Sequence, residues 1–389
     1  MKLNNEYFIY INTNDINFKK NKNEIPKIKK LKRNSSFELL RIILMILIIL
    51  FHIKFYSKSI PIMNTINYTQ LINKRYIFLR IISNYGKFGD ILFIMISGYF
   101  SINRKKFHYI KFILIATETY IYHYLFLYIS YQLKSIYKEF IFLNQNRISQ
   151  YFPLISSTGH WFSQHYLLLL IFMPFINIGL LSLNYNQYKL LVILIIVLYC
   201  IIKSLINIFN ISSNLFQATQ FLKLLLPYII GGYIKVFDLK WHFFWKVGGI
   251  LFFIATIILE IIFDYLSFYS GSYIWITIQN ELSLQLYSLF PILSSIGIIY
   301  LFKNIEIYIK TINFISASIL GIYLIHANKY IASFLYNFII KSNYDNQTFF
   351  FLKYIRNCFL IFFVCFIIDL IRRKTIGLLV ENIIQKFIK

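Results

Sequence analysis

One stretch of the chain, residues 37–57, is an apolar run that contains the ionisable side chains of Glu38, Arg41 and His52, with Lys54 near its end. On a helix, Arg41 and His52 differ by about 20° in azimuth and about 16 Å in height. Glu38 lies within about 40° of the same stripe, and it can pair with Arg41 three residues later. A neutral imidazole suits general-base catalysis near pH 7, and a guanidinium suits phosphate. The stripe predicts proton transfer at one end and anion binding at the other.

A simpler interpretation of the same stripe stays open on position alone. In a membrane helix, Arg41 would only mark the inner end by extending its charge to the interface, and His52 would only lie at the outer interface. Ionisable groups inside a membrane are costly, however, and usually face the protein interior at a functional site.

The composition indicates what kind of element positions these residues. The chain has 389 residues, of which 58% are hydrophobic and 14% charged, and its net charge is +25. A soluble domain carries about a quarter charged residues, and a nucleic-acid binder spreads its cations over a polar surface. These values exclude a soluble globular enzyme, a disordered basic tail and a nucleic-acid partner, and they indicate an integral membrane protein.

Ten runs meet or approach the length of about 20 apolar residues that crosses a bilayer, and alternation at period two, typical of a barrel, is absent. The predicted fold class is an all-α polytopic membrane protein. The ten predicted spans are 37–57, 88–103, 109–132, 161–181, 189–209, 215–236, 247–266, 284–302, 314–337 and 348–371.

The distribution of cations predicts that both termini are cytoplasmic, because 25 of the 40 Lys and Arg residues then lie on the inner side. The predicted organisation is a basic cytoplasmic segment at 1–36, a transmembrane domain at 37–371, and an amphipathic cytoplasmic tail at 372–389 that lies on the membrane surface. No cleavable signal peptide is predicted. Six cations in the first outer loop depart from this bias: Lys54, Lys58, Lys74, Arg75, Arg80 and Lys87.

Four segments resemble, in the same order, signatures of the membrane acyltransferase-3 family. Arg41 and His52, with ten residues between them and the letters FELLR at the start, resemble its R-X10-H signature. The other three are GDILFIMISGYF at Gly89–Phe100, GHWFSQHYLLLLIFMPFIN at Gly159–Asn177, and ISASILGIYLIH at Ile315–His326. The resemblance covers most of the chain.

The resemblance implies about ten transmembrane helices and an acyl transfer, commonly of acetyl from cytoplasmic acetyl-CoA. It implies an acceptor hydroxyl on a surface polysaccharide or a lipid-linked glycan precursor, in the plasma membrane of a bacterium. In this interpretation His52 is the general base, and Arg41 with Arg104, Lys105 and Lys106 binds CoA. The family often has an Arg-x-x-Arg pair after its second span, and this chain departs from that pattern with Arg104-Lys105-Lys106.

Several other polar residues have two interpretations each. Asp90 either orients His52 or caps the second span. His160 and Trp161 either belong to an interfacial aromatic belt or bind the acceptor. His326 is either a buried histidine with one hydrogen bond or part of the substrate site.

No metal is predicted. His160 and His165 lie near each other in the sequence, but neither a carboxylate nor a cysteine cluster completes a site. Cys200, Cys358 and Cys365 lie in apolar runs and predict neither a disulfide nor a zinc site.

Two other function classes compete with the acyltransferase. A transporter or flippase of a lipid-linked saccharide would also need many spans and polar residues within the membrane, and it would be favoured by a continuous charged path through two related halves. A glycan polymerase or ligase typically has a large outer loop, whereas the longest loops here are only about 30 residues.

Overall fold

The computed structural model describes residues 34–57, 74–133, 152–154, 160–211, 220–238, 242–339 and 349–378, and everything below concerns these ranges. The chain divides into two units, Met1–Arg33 and Asn34–Lys389. The predicted basic segment, apart from residues 34–36, and the predicted tail beyond residue 378 lie outside the described residues. Within the described ranges all regular structure is helical, which confirms the all-α class.

Thirteen helices are described in these ranges. They are α1 Ser36–Ser57, α2 Lys74–Ser101, α3 Tyr109–Leu133, α4 Trp161–Leu181, α5 Tyr185–Ile208, α6 Gln220–Phe237, α7 His242–Ser270, α8 Ile274–Gln279, α9 Leu289–Phe302, α10 Lys310–Ser316, α11 Ile319–His326, α12 Ala332–Ile339 and α13 Phe350–Arg372. A π-helical stretch occurs inside α5 at Ile196–Ile202, after α8 at Asn280–Leu284 and after α13 at Arg373–Gly377.

Seven stretches of the described chain are long and apolar enough to cross a membrane. They are Ser36–Phe55, Tyr109–Leu133, Trp161–Leu181, Tyr185–Ile208, His242–Ser270, Ile274–Phe302 and Phe350–Gly377. The remaining predicted spans, 88–103, 215–236 and 314–337, are not among them. The first forms part of the longer helix α2, and the second corresponds to α6.

The stretch 314–337 is not one helix, so the prediction of an unbroken span there is wrong. It is divided among α10, α11 and α12. At the first break the Arg373 guanidinium donates to Ser318 Oγ over 2.9 Å and to the carbonyl of Phe314 over 3.3 Å. A broken helix is tolerated at membrane depth where side chains satisfy the freed backbone groups, and Arg373 does so here.

Helix α1 lies at the centre of the described fold. It packs against α2, α13, α10, α12 and α11. Leu40 and Leu44 belong to one buried apolar cluster, and Met45, Ile49 and Ile53 belong to a second. The helix that carries the predicted catalytic stripe is therefore held on several sides.

The start of α1 is fastened to segment 305–309, which we term the strap. The backbone N–H of Ser35 donates to the carbonyl of Ile307 over 2.6 Å. Asn34 Oδ1 accepts from the N–H of Ile307 (3.2 Å), and Ser35 Oγ accepts from the N–H of Ile309 (3.0 Å). Polar side chains just before a helix satisfy backbone groups that the helix itself leaves unpaired. These contacts fix where α1 begins.

The outer faces of several helices expose large apolar side chains. Phe175 on α4 is 71% exposed and Phe243 on α7 is 80% exposed. Exposed apolar area of this extent is unfavourable in water and favourable against lipid tails, so these helices contact membrane lipid.

Two helix pairs approach closely at glycines. A side chain at Gly98 of α2 would collide with the carbonyl of Tyr228, and one at Gly231 of α6 would collide with the carbonyl of Met95. Gly249 of α7 and Gly297 of α9 face each other in the same way. Small residues let membrane helices pack backbone to backbone.

We expect Gly249→Ala to lower the stability of the purified protein by about 1–3 kcal/mol, because the new methyl group collides with Gly297 backbone. The measurement is thermal unfolding in detergent. The matched control is Gly248→Ala, since a methyl group at that adjacent position meets no atom of the described structure within 4 Å. Equal melting temperatures for the two variants would contradict the close packing of α7 on α9.

Candidate active site

The two ends of α1 carry different chemistry, and we call them the Arg41 end and the His52 end. Glu38 Oε1 lies 2.7 Å from Arg41 Nη1, and Ser316 Oγ donates to Glu38 Oε2. The Arg41 guanidinium also lies 5.9 Å from the centroid of the Phe100 ring. The structure thus places Glu38 with Arg41, about 21 Å along the helix from His52. Glu38 links Arg41 to α10.

A buried asparagine holds the loop that follows α2. Asn177 Nδ2 donates to the carbonyls of Ser101 (2.7 Å) and Arg104 (2.8 Å), and Asn177 Oδ1 accepts from the Tyr228 hydroxyl (2.7 Å). The amide is fully buried, and all three contacts agree with one orientation of it. Asn177 therefore fixes the backbone of Arg104, a role that the sequence did not indicate.

The same loop carries several positive charges. Lys105 and Lys106 are exposed. Partial burial lowers the pKa of His108, and the neighbouring charges of Arg104 and Lys111 lower it further. A protonated His108 is thus disfavoured by the positive field of the loop. The same field favours an anion.

At the other end of α1 the structure brings His52 and His326 together. Their ring centroids are 5.1 Å apart. His326 Nδ1 lies 2.6 Å from the carbonyl of Ile322, and because a carbonyl only accepts, Nδ1 carries the proton. His326 Nε2 is buried and makes no hydrogen bond to any described residue. Its lone pair is therefore available beside His52.

His160, at the start of α4, belongs to the same group of histidines. Asn328 Oδ1 accepts from the backbone N–H of Tyr330 over 3.0 Å, so the amide nitrogen of Asn328 faces His160 Nε2 at 3.3 Å and donates to it. His160 interacts electrostatically with His326 and with His123. The structure thus unites His52, His160 and His326, all of which the sequence singled out.

His123 and Asn328 are functional candidates that sequence reasoning missed. His123 is buried, and its ring centroid lies 5.2 Å from that of Tyr330. Asn328 and its partner His160 are separated by 168 positions, so no local pattern links them. Among the described residues no group of three or more His, Cys, Asp or Glu side chains is arranged to hold a metal ion.

Asp90 and Trp161 are joined through a lysine. Lys87 Nζ lies 3.9 Å from Asp90 Oδ2 and 5.0 Å from the centroid of the Trp161 ring. Lys87 also interacts electrostatically with His52. Helix α2 begins at Lys74, well before Asp90, so the interpretation of Asp90 as a helix cap is wrong. Asp90 and Trp161 instead lie beside Lys87 at the His52 end.

Some cations that the sequence left unexplained belong to buried ion pairs. Arg80 donates twice to the Asp264 carboxylate, over 2.6 Å each, and once to Gln279 Oε1 over 2.9 Å. The six cations were predicted to lie in an outer loop, but Lys54 lies in α1, and Lys74, Arg75, Arg80 and Lys87 lie in α2. Lys58 and the side chain of Arg75 lie outside the described residues. Arg80 fastens α2 to α7 and α8.

A second buried charge group lies between α3 and α13. Arg372 Nη2 contacts Glu118 Oε1 at 3.0 Å and Asp369 Oδ1 at 2.8 Å, and the Tyr122 hydroxyl donates to Asp369 over 2.8 Å. A side chain at Gly321 would collide with the Asp369 carboxylate. Helix α11, which ends at His326, therefore packs closely against this group at Gly321.

The family model described as an acyltransferase domain matches residues 34–370. No curated protein and no solved structure matched the chain. The matched range contains the Arg41 end, the His52 end and the histidine group.

Proposed function

This chain belongs to the membrane acyltransferase-3 family, and from that premise we propose that it moves acetyl from cytoplasmic acetyl-CoA to a glycan hydroxyl. The acceptor is a surface polysaccharide or its lipid-linked precursor, at the plasma membrane of a bacterium. We also propose that the chain crosses the membrane about ten times and that both termini are cytoplasmic.

The observation that carries the proposal is the arrangement along α1. Arg41 lies at one end, against Phe100 in the last turn of α2, which the basic loop follows, and the His52–His326 pair lies at the other. In this arrangement Arg41, Arg104, Lys105 and Lys106 bind the phosphates of CoA, because guanidinium and ammonium groups form charge-assisted hydrogen bonds to phosphate. The acyl arm of the donor then follows α1 towards His52.

His52 acts as the general base in the proposed step. It takes the proton of the acceptor hydroxyl while the oxygen forms a bond to the thioester carbonyl carbon. The carbon–sulfur bond then breaks, and the departing thiolate takes the proton back from His52 to give CoA and the acetyl ester. His326, whose tautomer is fixed by Ile322, lies beside His52 with its Nε2 lone pair available.

The other residues have supporting roles in the proposal. Glu38 positions the Arg41 guanidinium through the 2.7 Å contact. Asp90 lies against Lys87 near His52. His160, Trp161 and His326 line the acceptor side, since they surround the end of α1 that carries the base.

We expect Arg41→Ala to weaken acetyl-CoA binding to the purified full chain by about 10- to 100-fold, the effect of losing a hydrogen bond to a charged group. Isothermal titration in neutral-lipid nanodiscs measures it. Arg104→Ala, on a different element, is expected to act in the same direction. Lys189→Ala, an exposed cation on α5, is the control and retains wild-type affinity.

The same titration separates the acyltransferase from the transporter or flippase. Wild-type affinity in folded Arg41→Ala and Arg104→Ala would contradict the proposed donor site. A folded wild-type protein that binds no acetyl-CoA but moves a lipid-linked saccharide across vesicles would favour the flippase.

A further inference from the structure

Three lysines from different helices meet near the His52 end, and the proposed mechanism does not use them. Lys203 Nζ lies 4.6 Å and Lys223 Nζ 5.7 Å from the centroid of the Tyr287 ring. Lys87 interacts electrostatically with Lys223 as well as with His52. We term Lys87, Lys203 and Lys223 the lysine cluster.

The three lysines of the cluster outnumber the described carboxylates beside them. Two described carboxylates accompany it, Asp90 beside Lys87 and Glu281 near Lys203 and Lys223. Neither the sequence 58–73, which precedes α2, nor the sequence 212–219, between α5 and α6, contains Asp or Glu. Like charges repel strongly in a medium of low dielectric constant, so a further anion would stabilise this group.

Polar groups hold the local carboxylate in a fixed place. Glu281 is buried, and its Oε1 accepts from Asn207 Nδ2 over 3.1 Å and its Oε2 from the Tyr287 hydroxyl over 3.1 Å. Lys203 is also buried. Lys87 and Lys223 are half-buried. Fixed hydrogen bonds beside a buried cation and two half-buried ones preorganise this site for an anionic group of a bound molecule.

Two aromatic rings also contact the cluster. Tyr287 lies under Lys203 and Lys223, and Trp161 lies under Lys87. Aromatic rings give a bound molecule a large apolar contact, and a polar edge for hydrogen bonds. A sugar ring with a carboxylate or phosphate matches this combination of apolar and cationic groups.

We propose that the lysine cluster binds an anionic group of the acceptor, a carboxylate or phosphate on a saccharide, and so places the acceptor hydroxyl at His52. This inference rests on the proposed acetyl transfer and names the class of its acceptor. Lys87 connects the two functions, since it interacts with Lys223 in the cluster and with His52 in the active site.

The test compares three probes of one sugar skeleton: glucose, glucuronate and glucose 1-phosphate. Binding to the full chain in phosphatidylcholine nanodiscs is measured by saturation-transfer NMR. We expect glucuronate or glucose 1-phosphate to bind about 10-fold tighter than glucose, the effect of a charge-assisted hydrogen bond. The probe with the larger preference identifies the anion as carboxylate or phosphate.

The variants locate the effect. Lys203→Gln and Lys223→Gln are expected to lower the affinity for the anionic probes to that for glucose. The affinity for acetyl-CoA is expected to stay unchanged. Lys189→Gln, on the same helix as Lys203 and about 21 Å from it, is expected to keep the preference. Equal binding of the three probes by the wild type, or a preference unchanged in both cluster variants, would overturn the proposal.

Two further measurements distinguish a bound lipid from a bound saccharide, and the anion site from the acetyl-CoA site. In nanodiscs that contain phosphatidylglycerol, loss of the preference would show that a lipid headgroup occupies the cluster, which overturns the saccharide assignment. Acetyl-CoA titration of the same samples is independent of the cluster. A wild-type protein that prefers anionic sugars but binds no acetyl-CoA would contradict the proposed function and leave the anion site standing.

Discussion

His52→Ala is expected to lower acetyl transfer by roughly 10²- to 10⁴-fold, the contribution of a positioned general base. The expected loss falls on the chemical step, because His52 and Arg41 lie at opposite ends of α1 and the donor site is left intact. Acetyl-CoA affinity should therefore stay within about twofold of wild type, because the variant loses an interaction that acts in the transition state and not in donor binding. Two assays measure the effect: O-acetyl signals of the surface glycan by NMR, and acetyl-CoA consumption by the purified protein with that glycan.

Two variants control for structural effects of removing His52. His52→Gln keeps most of the volume and the capacity for hydrogen bonds but supplies no base, and it should lose as much activity as His52→Ala. His242→Ala removes a partly exposed histidine that lies beside Asp238, and it should retain activity. Normal acetylation by folded His52→Gln would exclude His52 as the base.

The second large effect concerns stability. Arg80→Ala is expected to destabilise the protein by about 3–5 kcal/mol, since it removes the guanidinium that donates two hydrogen bonds to the buried Asp264 carboxylate. Without the Arg80 guanidinium, the desolvation cost of the buried Asp264 carboxylate is no longer offset. Denaturant or thermal unfolding in detergent measures the change.

A double variant distinguishes the cost of the orphaned charge from the value of the pair. Arg80→Met combined with Asp264→Leu is expected to recover most of the loss, because apolar replacement of a buried ion pair is often neutral. Asp238→Ala provides the surface comparison. It removes the partner of Lys303 where the Asp238 side chain is 53% exposed, and it should cost less than about 1 kcal/mol. A similar small cost for Arg80→Ala would contradict the importance of the buried pair.

Elements with a continuous apolar pattern were predictable from the sequence. The predicted span 37–57 corresponds to α1, Ser36–Ser57, and the predicted span 161–181 coincides with α4, Trp161–Leu181. In each, local apolar character over about 20 residues decides the structure. The sequence also singled out His52, His160 and His326, which the structure places in one group.

Features that depend on partners distant in sequence were not predictable. The break between α10 and α11 depends on Arg373, which donates to Ser318 from 55 positions away. Asp264 lies 184 positions from Arg80, so neither residue indicates the other. The start of α2 was also missed, because Arg80, Lys87 and Asp90 interrupt its apolar pattern while tertiary contacts satisfy their charges.

The strap has a consequence for the order in which the protein assembles during translation. Asn34 Nδ2 donates to the carbonyl of Ile305 over 2.9 Å, and these residues are 271 positions apart. At about 5–20 residues per second, the ribosome needs roughly 15 to 55 s to make that intervening chain. Ser316, which donates to Glu38, is made later still. The start of α1 therefore acquires its final contacts only after residues 305–316 have been made, long after α1 itself.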